Sequence, residues 1–211
     1  MPSAPNATSN PLLIAAPSEN LCLSYVNTLY WRGSPAPTES LNNWADLLKW
    51  STSALAYAAP ALQVLEEWSA AHAAQAARQF DLAIALREAM YRIFSALATG
   101  QPVADPDLAA LNQALAEAPR RGELARTASS GYVWRAAPLT PSVPALLAPV
   151  LWSAADLLTR VAPQRVRQCA NPKCLWLFVD ASKGGTRRWC DMSSCGNRAK
   201  AQRHYHKKRE K

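Results

Sequence analysis

Four cysteines in two close pairs, Cys169-x4-Cys174 and Cys190-x4-Cys195, with fifteen residues between the pairs, constrain this chain more than any other feature. Thiolates spaced in this way can converge on one tetrahedral Zn²⁺, because each pair bends around the metal and the intervening segment folds back as a hairpin. Leu175 to Val179 reads as a strand, Lys183-Gly184-Gly185 as a turn and Thr186 to Trp189 as the return strand. Beyond Cys190 the pattern becomes helical, with Ser193 or Asp191 as N-cap and residues 198–208 as the helix body. Cys195 then falls in the first turn, where free N–H groups and the helix dipole favour a thiolate. Gly196 leaves room for close backbone approach to the metal site.

Paired disulfides would need an oxidising compartment. The Met-Pro-Ser-Ala-Pro start carries neither the basic nor the apolar region of a secretory signal, so a cytoplasmic location and a structural zinc are expected. An iron–sulfur cluster, which also uses four cysteines, is the minor alternative. Four thiolates complete a zinc site, which leaves His204 and His206 to the basic helix, while the lone Cys22 reads as a small buried hydrophobe. A knuckle, a hairpin and a ligand-bearing helix resemble the treble-clef type of zinc module.

The net charge of +8 is unevenly placed. Arg160 to Lys211 holds 14 Lys+Arg against 3 Asp+Glu, a balance of +11, whereas Met1 to Thr159 holds 9 against 12, a balance of −3. A slightly acidic body with a basic end is the footprint of a protein one part of which meets phosphates. A solvated basic tail that aids solubility carries the same signature. On the C-terminal helix Lys200, Arg203, Lys207 and Lys211 fall within one quadrant, with Arg198, Gln202, Tyr205 and Arg209 as a second stripe. Lys183, Arg187 and Arg188 extend the positive surface. The expected nucleic-acid contacts are therefore Lys183, Arg187, Arg188, Arg198, Lys200, Arg203 and Lys207, with DNA as the partner and structured RNA as the alternative, since charge alone does not separate them. Asn197 and Gln202 have the chemistry to read adenine edges and Arg198 a guanine. So close to Cys195, Asn197 and Arg198 also suit a hydrogen bond to the knuckle backbone or to a thiolate, the reading preferred for Asn197. Trp176 and Trp189 read as the hydrophobic core of the module.

The preceding chain is mainly α with a small β-hairpin. Residues 1–18 read as a flexible arm, 19–162 as a helical domain with one hairpin and 163–211 as the zinc module. Helical spacing covers Leu21 to Trp31, the Leu41/Trp44/Leu47/Leu48 group, Ala61 to Leu97 with a break near Gln79, the stretch opened by Asp105-Pro106, and Ala145 to Val161. Glu123 to Ala128 and Tyr132 to Ala136 flank Ser129-Ser130-Gly131 as a hairpin. The uncharged run from Ala136 to Ala155 is cut by Pro138, Pro141, Pro144 and Pro149, so no membrane span is expected. His72 is the only histidine of the body, and no paired carboxylate or nucleophile–base pattern accompanies it, so catalysis is not expected. Asn27, on an otherwise apolar helix, is a ligand-pocket candidate, because a buried amide needs partners from a ligand or from neighbouring backbone. Trp31, Trp44, Trp50 and Trp68 supply aromatic surface for a pocket or a dimer seam, or else fill a core made thin by alanines.

Cys169-Ala-Asn-Pro-Lys-Cys174, Trp176-Leu-Phe-Val-Asp180, Arg188-Trp189-Cys190 and Cys195-Gly196-Asn197-Arg198-Ala-Lys200 resemble the CGNR zinc-finger family over about residues 165–208. Leu21-Cys22-Leu23-Ser24-Tyr25-Val26-Asn27-Thr28 and the later helix, hairpin and helix resemble the ABATE domain that precedes this finger. The resemblance implies a bacterial, stress-linked transcription regulator. Its finger would bind DNA. The acidic body, ill suited to lie along DNA, is expected to sense a signal, with the small-molecule effector unassigned, or to form a homodimer.

Overall fold

The longest apolar-striped stretch of the sequence, rich in alanine and free of proline and glycine, forms the longest helix, and the other elements gather around it. A computed structural model describes residues 11–55, 57–127, 131–159, 165–201 and 205. The chain runs β1 (Leu12–Ile14), α1 (Leu21–Val26), β2 (Leu29–Tyr30), β3 (Thr38–Glu39), α2 (Trp44–Ala54), α3 (Ala59–Ala71), α4 (Ala73–Thr99) and α5 (Asp105–Glu117). It continues through β4 (Glu123–Thr127), β5 (Gly131–Ala136), α6 (Val143–Leu146), α7 (Ala148–Thr159), β6 (Val166–Gln168), β7 (Leu177–Val179) and a π-helical turn (Met192–Gly196) that runs on as α-helix over residues 197–201.

The central helix α4 buries Ala76, Ala83, Leu86, Arg87, Ala89, Met90, Ile93 and Phe94 along one stripe, the condition for an amphipathic helix to be held by its neighbours. It ends at Gly100, whose φ of 71° is the left-handed conformation a helix stop requires and which donates its N–H to the Leu97 carbonyl. Helix α7 is apolar on most of its circumference and lies inside, against α1 and α5. Its Ser153 hydroxyl accepts the Cys22 N–H at 3.1 Å and donates to the Ser18 carbonyl at 3.0 Å, which ties the start of α1 to the core. Cys22 is fully buried as expected, and burial pushes its thiol up to about 12.

One charged cluster lies within this core. Arg87, 2% exposed, donates to both Glu39 oxygens at 2.7 Å and to Glu88 at 2.9 Å, while Arg32 holds Glu88 from the other side at 2.6 Å and stacks over the Tyr91 ring at 3.8 Å. Two guanidinium and two carboxylate groups cancel, and each carboxylate is met by more than one donor, which is what a buried ion pair needs. Burial alone would raise both carboxyls. The Arg87 contact to Glu39 and the Arg32 contact to Glu88 overcome it and hold both below the usual range.

The structure departs from sequence expectation at four places in the body. Part of the expected arm is a strand: Leu12 and Ile14 are buried, and β1 pairs with β5, Leu12 opposite Ala136 and Ile14 opposite Trp134, making a three-stranded sheet β1-β5-β4. A three-residue alternation is too short to register as a strand before its partner is known. Residues 1–10 of the arm lie outside the described residues. The long helical stretch breaks at His72, not Gln79: the His72 ring stacks on Trp68, its Nδ1–H donates to the Trp68 carbonyl at 2.9 Å, and its φ of −134° leaves the helix. The first helix stops at Val26, where the Thr28 hydroxyl takes the Tyr25 carbonyl at 2.8 Å and the chain leaves as β2, paired with β3. The Ala145 helix is split in two, α6 being capped by Ser142. The β4–β5 hairpin forms as expected, from Glu123 opposite Arg135 to Thr127 opposite Gly131. Trp44, Trp50 and Trp68 pack in the core, so the core reading of these rings holds. No helix among the described residues is long and apolar enough to cross a membrane.

Candidate metal centre and nucleic-acid interface

Strands β6 and β7 pair antiparallel, with Val166 opposite Val179 and Gln168 opposite Leu177, and the first cysteine pair sits in the turn that joins them. The Cys169 N–H donates to the Trp176 carbonyl at 2.8 Å and the Cys174 N–H to the Asn171 carbonyl at 2.9 Å, which curls the six-residue span around a common centre. Leu175 completes the curl with a left-handed φ of 58°. A β-branched or bulky residue there is strained, and here the Tyr91 hydroxyl, donating to the Leu175 carbonyl at 3.1 Å, helps to hold it.

This pairing corrects the expected hairpin. Residues 186–189 do not form the return strand; the partner of β7 is β6, upstream of the first cysteine. The 180–190 loop is instead fixed by point contacts. Asp180 accepts the Ser182 and Arg187 N–H groups, both at 2.9 Å, and the Ala170 N–H donates to the Arg188 carbonyl at 2.9 Å. The Arg187 guanidinium donates to the Trp189 carbonyl at 2.9 Å and to the Cys190 carbonyl, with Cζ 4.5 Å from the centre of the Phe178 ring. Arg187, expected as a phosphate contact, thus braces the second cysteine pair.

Asp191 caps the π-helical turn by accepting the Ser194 N–H at 2.8 Å, so Cys195 is presented from a helix start. At Gly196 a Cβ would lie 2.8 Å from the Met192 sulfur, so that exposed side chain would have to swing aside to admit one. Asn197 donates to the Ser193 carbonyl at 3.1 Å, the backbone bond that was one of its two readings.

The four sulfur atoms, of Cys169, Cys174, Cys190 and Cys195, all lie within 4.8 Å of one another, and none is in a disulfide. Tetrahedral zinc at about 2.3 Å from each thiolate sets its sulfurs about 3.8 Å apart, and Cys174 and Cys190 stand 3.7 Å apart. Four thiols this close cannot all ionise without a cation among them. Hydrogen bonds from Cys174 and Cys190 pull the Cys169 thiol far down, while the same bonds push Cys174 up to about 12 and Cys190 higher still. A dication removes that conflict, and the all-sulfur set is the one structural zinc takes. Asn171 supplies an outer contact, donating its amide to the Cys195 sulfur at 3.4 Å, and Trp31, Trp176, Trp189 and Phe178 wall the centre. Trp176 and Trp189 therefore do form the core of the module.

The finger is seated on the body. β7 is buried on both faces: Leu177 and Val179 join the core around α4, while Phe178 faces the cysteines. Asn27, at the end of α1, treats β7 as a neighbouring strand would: its Oδ1 accepts the Leu177 N–H at 3.0 Å and its Nδ2 donates to the Leu177 carbonyl at 2.8 Å. Neighbouring backbone thus supplies a partner to each end of that amide. Gln168 reaches the Tyr91 and Ser95 hydroxyls at 3.1 and 3.0 Å. Gly33, between β2 and β3, abuts the knuckle so closely that a Cβ would lie 1.9 Å from the Pro172 carbonyl oxygen. None of Tyr91, Gln168 or Gly33 stands out in the sequence; only the Asn27 amide gave a signal.

Lys183, Arg187, Arg188, Arg198 and Lys200 are exposed and form no ion pair among the described residues. Arg188 lies over Trp189 and Arg198 over Trp31, at 5.4 and 4.6 Å. Arg203 and Lys207, the other two expected contacts, lie outside the described residues. In the body, by contrast, Arg32, Arg87, Arg92, Arg121 and Arg135 are each paired with a carboxylate.

Two family models match the chain. That of ABATE, described as "Putative stress-induced transcription regulator", covers residues 19–161, and that of the CGNR zinc finger covers residues 165–208. No curated protein matches at a significant level.

Proposed function

Because the chain belongs to the ABATE family and carries a CGNR zinc finger at its C-terminal end, we propose that it regulates transcription by binding duplex DNA through the finger, with the helical body governing how the finger is presented. The observation that carries this reading is the contrast in charge pairing: five of the nine lysines and arginines of the body are matched by carboxylates, while among the described residues none of the finger's exposed cations is. Unmatched cations on a rigid support release counterions when they meet phosphates, which favours nucleic acid. In this reading zinc, held by Cys169, Cys174, Cys190 and Cys195, has a structural part and leaves no coordination position for a substrate. The contacts are Lys183, Arg188, Arg198, Lys200, Arg203 and Lys207, and the seating of β7 on α1 and α4 gives the body its hold on them.

Selection of duplexes from a random pool by the full zinc-loaded chain tests the reading, with a structured RNA pool run at the same salt. Enrichment of a common DNA site supports it. Preference for RNA would move the protein to the RNA-binding alternative, and absence of binding to either pool at low salt would refute both.

A further inference from the structure

Among the finger's cations, Arg198 is held in an unusual way. Its backbone sits three residues past Cys195 on the ligand-bearing helix, so the metal centre fixes where the side chain starts. Its guanidinium lies over a residue of the body, with Cζ 4.6 Å from the centre of the Trp31 ring. Trp31 is half-buried and packs against the cluster of Cys169, Cys174, Phe178 and Cys195, and its backbone takes a left-handed φ of 55° where β2 turns toward the knuckle. The strained φ is sustained by the Ser34 N–H, which donates to the Trp31 carbonyl at 2.8 Å, and by the seating of Gly33 under Pro172.

Other arginines also stack on rings, but most have their N–H groups in use. Arg32 and Arg121 hold carboxylates, and Arg187 holds two carbonyls. The Arg198 guanidinium makes no hydrogen bond and no ion pair among the described residues, and the residue is exposed. Arg126 and Arg188 share that freedom but stack more loosely, at 5.9 and 5.4 Å. A guanidinium that lies over a ring without spending its N–H groups keeps them for a partner, and they form a fork matched to two acceptors in a plane.

We infer that Trp31 is a positioning residue for nucleic-acid recognition: it holds Arg198 as a ready-made fork for a planar pair of acceptors, either O6 and N7 of a guanine or two oxygens of one phosphate. The inference rests on the proposed DNA-binding function and adds that a body residue sets the geometry of a finger contact. An arginine restrained beforehand loses less freedom on binding, so the restraint appears as affinity. Lysine cannot replace it, having a compact charge with no fork.

The test uses the full zinc-loaded chain and a duplex selected by the wild type, with affinity read by fluorescence anisotropy at fixed salt. Arg198→Lys should weaken binding as much as Arg198→Gln, by about five-fold or more, the range expected of a stacked bidentate contact. Trp31→Leu should cost a similar factor, Trp31→Phe should stay near wild type, and the Trp31→Leu, Arg198→Gln double variant should bind no worse than Arg198→Gln alone. Loss of preference at one guanine in Arg198→Gln identifies the base as the ligand. A uniform loss with a salt slope smaller by about one identifies the phosphate, and either outcome supports the inference. Wild-type affinity in Arg198→Lys would overturn it, as would additive losses in the double variant, while the DNA-binding function stood. A wild type that binds neither DNA nor RNA removes both. Should Trp31→Leu lose its zinc, Arg198→Lys and Trp31→Phe still decide the matter, since neither removes a ring or a metal ligand.

Discussion

At the scale of single residues, the side chains that matter most are those whose partners lie far away in the chain. Asn27 is the clearest: replacing it by leucine, of similar size, would leave the buried N–H and C=O of Leu177 without partners. We expect Asn27→Leu to lose about 1–3 kcal/mol in urea unfolding of the zinc-loaded protein, and a loss of a few tenths would mean that water replaces the amide. The Arg32, Arg87, Glu39, Glu88 quartet sets the response to acid. Both carboxyls have folded values below their unfolded ones, so their stabilisation is complete above the ordinary glutamate range near about 4.3 and fades as pH falls through the lower folded values. Neutralising Glu88 by Glu88→Gln should flatten the acid limb of a stability–pH curve measured in urea, and an unaltered limb would place acid sensitivity elsewhere. The four zinc-ligand candidates could be picked out from sequence because thiolate chemistry restricts their spacing. Asn27 could be picked out only in part: its polarity on an apolar helix announced a need, but nothing local named Leu177 as the answer.

At the scale of elements, what the sequence conveyed depended on whether an element carries its own period. The long helices did, through stripes such as Leu86, Met90 and Ile93. Strand β1 did not, since Leu12 and Ile14 acquire meaning only against β5, and the hairpin partner of β7 was misplaced because β6 is a three-residue strand whose register depends on the knuckle. The link between β2 and β3 carries a sharper test. Gly33→Ala would press a methyl group into the Pro172 carbonyl, and because backbone cannot step aside as a side chain can, about 1–3 kcal/mol should be lost together with zinc affinity. A Gly33→Ala protein with unchanged melting and zinc retention would show that the loop does not bear on the knuckle in solution. Removal of zinc acts through the same contacts. Structural zinc contributes on the order of 10 kcal/mol to folding small modules, and Leu177 and Val179 belong to the body's core. Chelation should therefore lower the melting temperature of the helical signal too, and a helical transition indifferent to chelator would mean that the finger is only lightly attached.

At the scale of the molecule, a body of net charge −3 and a segment of +11 meet, among the described residues, through apolar packing and hydrogen bonds to backbone. The basic surface is thereby left for a third party. Replacing Lys200, Arg203 and Lys207 together by alanine should reduce the slope of log affinity against log salt by about two to three, and an unchanged slope would move the phosphate contacts to Lys183 and Arg188. The charge split was plain in the sequence; the seating of the finger was not, because it depends on contacts between residues too distant for any periodicity to relate. That distance has a further consequence, one of time. The amide of Asn27 and the backbone of Leu177 are 150 residues apart, and at about 5–20 residues per second a ribosome delivers the second roughly 8–30 s after the first. Throughout that interval the opening helix of the chain is present but lacks the strand that finishes it, so the first helix to be made is among the last to be completed.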